Sequence, residues 1–105
     1  MRKASFRVRR VYFDKIVAGE KKEEIRSYTE FWFKRLISGG QPEVTVFLCG
    51  KDVHRRRIKS VYIEFPEKVL GRPLSLQGLQ DLYTESCIIV ELGEEVGWVN
   101  TSTCI

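Results

Sequence analysis

Lys21, Glu24 and Arg26 are spaced three and two residues apart within the run Ala18-Gly19-Glu20-Lys21-Lys22-Glu23-Glu24-Ile25-Arg26. The run is glycine or charged from Gly19 to Glu24 and meets its next apolar side chain at Ile25. Gly19 sits where a left-handed cap would end a helix, so Lys21 falls at the turn from that helix into a strand. In an extended segment alternate side chains share a face. Lys22, Glu24 and Arg26 then point one way and Ile25 the other. Glu24 and Arg26 stand about 7 Å apart along such a strand, within reach of each other's long side chains. A carboxylate bracketed by cations on a rigid strand can orient a base edge or a sugar hydroxyl, and it can serve as an acid or base if partly buried. The same run also reads as a solvated edge strand protected by its charge. The acidic neighbours Glu20, Glu23 and Glu24 favour Lys21 as a charged electrostatic stabiliser over Lys21 as a base.

A second basic cluster runs from Lys51 to Lys59 and contains Arg55, Arg56 and Arg57. It is expected to project as a loop between two strands. There it would meet phosphates without needing base specificity, forming a two-sided cationic rim with Arg7 and Arg9. A solubilising hairpin tip is the plainer reading of the same residues. Phe31, Trp32 and Phe33 are consecutive, so on a helix they cannot all face a core. Trp32 and Tyr28 are the candidates for stacking on a base. His54 is the only histidine, which excludes a histidine-based triad, and its expected loop position disfavours a solitary catalytic role. Glu64, at a strand end, is a weaker candidate for a second carboxylate.

The elements that would hold these residues follow from periodicity. A strand is expected near Ser5 to Arg9, and a helix carries Tyr12, Phe13, Ile16 and Val17 up to Gly19. A strand over 22–27 follows. Ser27 and Glu30 have capping-box spacing and predict a second helix with Phe31, Trp32, Leu36 and Ile37, closed by Gly39-Gly40. Val44 to Cys49 is an apolar strand, Gly50-Lys51-Asp52 begins a turn, and a long strand runs through Ile58, Val61, Tyr62, Ile63 and Phe65. Pro66 and Pro73 bracket a loop, and Ser75 begins a short helix with Leu76, Leu79, Leu82 and Tyr83. Cys87 to Leu92 is the last strand. Connections this short cannot supply a series of parallel crossovers, so the expected fold is α+β: a mixed, barrel-like sheet with flanking helices.

At 105 residues the chain has room for one domain, 1–105, so binding and any catalysis must share a surface. No apolar run approaches the roughly 20 residues that cross a bilayer, and no signal peptide is read at the start. The cysteines Cys49, Cys87 and Cys104 form no C-x-x-C pair. They read as free thiols of a cytoplasmic protein, with no metal site and no cofactor expected. All 18 Lys and Arg residues lie within positions 1–72 against nine acids, a balance of +9, while the remaining 33 residues hold five acids and no Lys or Arg, −5. A cationic side of this kind suits a polyanion, nucleic acid being the commonest.

The run Phe13-Asp14-Lys15-Ile16-Val17-Ala18-Gly19-Glu20-Lys21-Lys22-Glu23-Glu24-Ile25-Arg26 resembles the signature of ASCH domains, small relatives of the PUA RNA-binding fold. In that signature an amphipathic helix leads through G-x-K-x-x-E-x-R into a strand, matched here by Gly19, Lys21, Glu24 and Arg26. The resemblance implies a PUA-like β-barrel of about five or six strands and a cleft lined by this segment. It also implies binding of RNA or of a modified nucleoside or nucleotide. Some bacterial relatives hydrolyse acetylated cytidine with the motif Lys, a Thr three residues later and a distant Glu. Lys21 matches that Lys, but Glu24 occupies the Thr position, so the hydroxyl is missing. Ribonuclease activity is reported for other relatives, and an enzyme using Lys21 and Glu24 is the alternative the resemblance leaves open.

Overall fold

A computed structural model of the chain describes residues 2–65, 67–68 and 86–97. Strand β1 (Lys3–Arg7) alternates as expected, with Ala4 and Phe6 buried and Lys3, Ser5 and Arg7 exposed. Helix α1 (Arg10–Val17) buries Phe13 and Ile16. It ends in a turn where Gly19 takes φ 79°, and the Lys15 carbonyl accepts the amides of both Glu20 (2.9 Å) and Lys21 (3.1 Å). That pair of bonds reverses the chain and delivers Lys21 to the foot of β2 (Glu23–Ser27).

The next helix begins at a different cap from the one its spacing suggests. Ser27 is the last residue of β2, paired with Cys87 and buried, so it is committed to the sheet. Thr29 caps instead: its backbone is extended and its hydroxyl accepts the Trp32 amide at 3.2 Å. Helix α2 (Glu30–Phe33) widens into a π-helical turn over Lys34–Ser38 that buries Leu36 completely. Gly39 and Gly40 terminate it, and the Arg2 guanidinium donates to both their carbonyls, a cation placed at a helix C-terminus.

Strand β3 (Val44–Cys49) turns through Gly50, at φ 59°, into β4 (Asp52–Glu64). The basic cluster is therefore ladder, not loop. The tight Gly50-Lys51 turn fixes the register from Cys49↔Asp52 to Val44↔Arg57, drawing Arg55, Arg56 and Arg57 into the hairpin. His54 is likewise a strand residue and is buried. Strand β5 (Cys87–Glu95) is longer than its apolar run, continuing through Gly93. The loop between Pro66 and Pro73 and the helix expected from Ser75 to Tyr83 lie outside the described residues, as does Cys104.

The sheet has five strands in the order β1-β3-β4-β5-β2 and curls into a half-barrel. β1 runs parallel to β3, and the other pairs are antiparallel, so the sheet is mixed as expected. Its inner face carries the core, in which Phe6, Phe47, Ile88, Val90 and Leu92 pack with Phe13 and Ile16 of α1 and Leu36. Arg56 also points inward. Its guanidinium donates to the Gly93 carbonyl (2.7 Å) and the Ile16 carbonyl (3.2 Å), tying the end of α1 to β5.

His54 stands beside that tie, edge-on to Phe13 at 6.4 Å between ring centroids, and its buried Nε2 has no hydrogen-bond partner. Burial pushes its pKa below the ordinary 6.5; Glu95, 3.8 Å from Nδ1, opposes the shift, and Arg56 adds to it. The folded state thus keeps His54 neutral to lower pH than the unfolded chain does. As pH falls through about 6.5 the unfolded chain takes up the proton first, and stability is lost below that point. Thermal unfolding followed from about pH 7 to pH 5 should show this loss, and His54→Phe should flatten it. An equal slope in both proteins would assign the acid sensitivity elsewhere. In Gly39→Ala the new Cβ would lie 2.7 Å from the Lys34 carbonyl oxygen. That substitution should cost about 1–3 kcal/mol in urea unfolding.

Candidate functional site

The polar face of β2 is its inner face. Glu24 is only 5% exposed, lodged on the side of the sheet that carries its ladder partner Val90 and, one step along, Ile88 of the core. This rules out the solvated-edge reading for Glu24. A buried carboxylate must be paired or it will not remain charged, and both oxygens of Glu24 are paired. Lys21 Nζ donates to Oε1 at 3.1 Å, and Arg26 Nε donates to Oε2 at 2.7 Å. Lys21 makes a further bond to the Glu23 carbonyl. The cationic side chains are each 22% exposed, so the cluster is buried at its carboxylate and open at its cations.

Arg26 does more than neutralise. Its Nη2 donates to the Arg7 carbonyl at 3.0 Å, linking the two edge strands β2 and β1 across the gap of the half-barrel. Its guanidinium also lies over the rings of Phe6 (5.0 Å) and Trp32 (5.2 Å), which stack on each other at 4.9 Å. One guanidinium therefore joins carboxylate, backbone and aromatic stack. Lys21 and Arg26 bring two positive charges to one negative, and their unused N–H groups can only donate. Such an array suits a ligand rich in acceptors: phosphate oxygens, base carbonyls or ring nitrogens.

The remaining sequence candidates divide. Tyr28 is 40% exposed and tilts against Phe33 at 5.7 Å. Trp32 is half-buried, one face taken by Phe6. The outward ring of the aromatic trio is Phe31, 54% exposed, with the Arg35 guanidinium 4.2 Å above it and Trp32 edge-on at 5.0 Å. The i, i+4 spacing of Phe31 and Arg35 was the sequence signal for that pair. Arg7 and Arg57 are exposed, Arg55 is half-buried, and Arg9 precedes α1. Register places Arg7, Arg55 and Arg57 on the outer face, while Arg56 is held inside by backbone carbonyls and so falls outside the expected rim. Glu64 pairs loosely with Lys68 (3.9 Å) and accepts the Phe65 amide, apart from Glu24. Neither Cys49 nor Cys87 is joined in a disulfide. Among the described residues no three His, Cys, Asp or Glu side chains gather as a metal site, and no helix is long and apolar enough to cross a membrane.

No protein-family model matches the sequence, and a search of curated proteins finds no match. Among solved structures, the chain is similar to a crystal structure of a serine-to-alanine mutant of the ZmASCH protein from Zymomonas mobilis. The TM-score is 0.60 at 11% identity, over 97% of this chain and 78% of that one. The chain thus has an ASCH-like fold, the α+β half-barrel that the G-x-K-x-x-E-x-R resemblance implies.

Arg26→Ala would leave Glu24 buried with one cation and the edge strands without their side-chain link. It should lower unfolding stability by about 3–5 kcal/mol, and Lys21→Ala by clearly less because, among the described residues, Lys21 makes no bond to β1 and covers no aromatic ring. A decrease under about 1 kcal/mol for Arg26→Ala would remove it as the clasp of the barrel.

Proposed function

We propose that this chain is a single-domain binding module for RNA, or for a nucleoside or nucleotide, that takes its ligand at Lys21, Glu24 and Arg26. The observation that carries this reading is the state of Glu24: buried, with each oxygen already accepting from a cation. A carboxylate held in this way cannot take up a proton from a substrate without giving up an ion pair. Its work is to fix the directions of two donors, and fixed donors beside an aromatic surface read acceptor edges of bases and phosphates. Trp32 and Tyr28 supply the aromatic side, on which an unstacked base can lie. The ASCH-like fold supports the same reading by analogy of architecture.

In the enzyme alternative, an amidohydrolase or ribonuclease centred on Lys21 and Glu24, Glu24 would have to leave one of its two cations to act as acid or base, while Lys21 would act as a charged stabiliser. Lys21 already donates to the Glu24 carboxylate and the Glu23 carbonyl, which leaves one of an ammonium's three N–H groups for a ligand. That is the stoichiometry of a binding contact.

The test is titration of labelled single-stranded RNA and of free nucleosides against wild type and Lys21→Ala. Loss of one charge-assisted hydrogen bond should weaken binding about tenfold or more. Equal affinities in the two proteins would move the ligand away from this cluster. Turnover of RNA or acetylated cytidine that disappears in Glu24→Gln would establish the enzyme instead.

A further inference from the structure

Three consecutive aromatic residues on a helix point three ways, and here each meets a different surrounding. Trp32 turns inward and stacks on Phe6 at 4.9 Å, and Phe33 turns towards Tyr28 at 5.7 Å. Phe31 is left outward, 54% exposed. The π-helical turn that follows carries Arg35, four residues on, and sets its guanidinium 4.2 Å over the Phe31 ring. Arg35 is itself exposed, and among the described residues its guanidinium makes no hydrogen bond or ion pair. Its five N–H donors stand free over an open ring. The nearest carboxylate in the chain, Glu30, is neutralised by Lys34 at 2.9 Å, so the local excess charge is that of Arg35.

This pair is joined to the Lys21/Glu24/Arg26 cluster ring by ring. The Arg26 guanidinium lies 5.2 Å from the Trp32 ring, and Trp32 meets Phe31 edge-on at 5.0 Å. An arginine thus stands at each end of the Trp32-Phe31 pair, one tied to the buried carboxylate and the other free. A single strand advances about 3.4 Å per nucleotide when stacked and further when splayed, so the whole ladder is a few nucleotides long at most.

We propose that Phe31 and Arg35 form a second nucleotide position, stacking a base beside the one held at the cluster and meeting the phosphate between them, so that a short single strand binds better than a free nucleoside. The proposal rests on the reading of Lys21, Glu24 and Arg26 as the first base site. Aromatic rings and guanidinium planes both stack on bases, so either member of the pair can carry one, and the free N–H groups of Arg35 suit a phosphate. Trp32 and Phe31 stand 86° apart, so bases lying along the two would be turned out of a common stack. A single strand can splay in this way and a duplex cannot. From Glu30 to Ser38, Phe31 is the one exposed large apolar side chain, and Glu30, Lys34 and Arg35 surround it. A lone ring among charges lacks the contiguous apolar area that a membrane or a protein partner would cover.

The test compares calorimetric binding of CMP and AMP with that of tetracytidylate and tetraadenylate over a range of salt concentrations. The proteins are wild type, Phe31→Leu, Phe31→Trp, Arg35→Gln and the control Lys51→Gln, an exposed cation at the β3-β4 turn. Wild type should bind the tetranucleotides more tightly than the mononucleotides. Phe31→Leu keeps apolar bulk without a π face and should weaken tetranucleotide binding about tenfold, while Phe31→Trp preserves it. Mononucleotide binding should be unchanged in both. Arg35→Gln should flatten the plot of log tetranucleotide affinity against log salt by about 0.7, and Lys51→Gln should not. Mononucleotide binding with tetranucleotide affinity unchanged in Phe31→Leu would overturn the second position and leave the cluster reading intact. Equal weakening of mononucleotides and tetranucleotides in Phe31→Leu would also overturn it, since Phe31 would then act only by supporting Trp32. Tetranucleotide binding that depends on Phe31 and Arg35, with no mononucleotide binding in wild type, would keep this position and remove the cluster as a base site. A wild-type dimer in sedimentation that Phe31→Leu converts to monomer, at unchanged tetranucleotide affinity, would overturn the proposal in favour of a second copy of the chain.

Discussion

The buried carboxylate of Glu24 is the constraint on which the rest of the half-barrel is arranged. At 5% exposure it cannot be hydrated, and an unpaired charge there would cost several kcal/mol. Two cations must therefore come to it, each by its own route. Lys21 arrives because the Gly19 turn and the doubly used Lys15 carbonyl set where α1 releases the chain. Arg26 arrives because it is two residues along the same strand face. Once drawn inward, its guanidinium reaches the Arg7 carbonyl and covers Phe6 and Trp32. Strand closure, the aromatic stack and the donor array are thus consequences of a single buried charge.

This arrangement uses part of the inner face for polar chemistry that apolar side chains would otherwise fill. Replacing buried ion pairs by well-packed apolar groups is often neutral or stabilising, so stability alone does not account for keeping the cluster. The small core compensates elsewhere, with Phe6, Phe47, Ile88 and Val90 fully buried. Arg56 is a second inward arginine with a different solution. It is satisfied by two backbone carbonyls, at Gly93 and Ile16, and so it fastens α1 without a carboxylate. One arginine fastens a helix and the other a buried carboxylate, although both alternate inward from their strands in the same manner.

The elements governed by local rules were legible in the sequence: α1 and its Gly19 cap, the Gly39-Gly40 stop, the β3 strand, and the common face of Glu24 and Arg26. What escaped depends on distant partners. Glu24 is buried because β2 pairs with β5, whose sequence lies about sixty residues downstream, and no pattern within 19–26 carries that information. Ser27 has capping-box spacing to Glu30, but pairing with Cys87 holds it in the sheet, and Thr29 takes the role. Arg55, Arg56 and Arg57 look like a loop because three consecutive cations suggest full solvation. A two-residue turn at Gly50-Lys51 instead zips them against β3, and alternation sends the middle one inside. Which of Phe31, Trp32 and Phe33 faces outward was undecidable without the position of Phe6.

Strand order also gives the lopsided charge of the sequence its meaning. With every Lys and Arg before position 73, a fold that kept neighbours in sequence together would simply have a basic half and an acidic half. Here β5, from the acidic third, is inserted between β4 and β2. Its Glu91 meets Glu23 on the outer face, while directly behind them, on the inner face, Glu24 is enclosed by Lys21 and Arg26. The same strand pair therefore sets Glu23 and Glu91 on its outer face and Glu24 and Arg26 on its inner one, whereas β1-β3-β4 sets Arg7, Arg55 and Arg57 outside, flanking the buried Val44 and Val46. The β1 edge is where the two sides join, the Arg7 carbonyl accepting from Arg26 while the Arg7 side chain stands on the outer face. The topology, beyond the net charge of +4, therefore decides where cations and carboxylates stand on the described sheet.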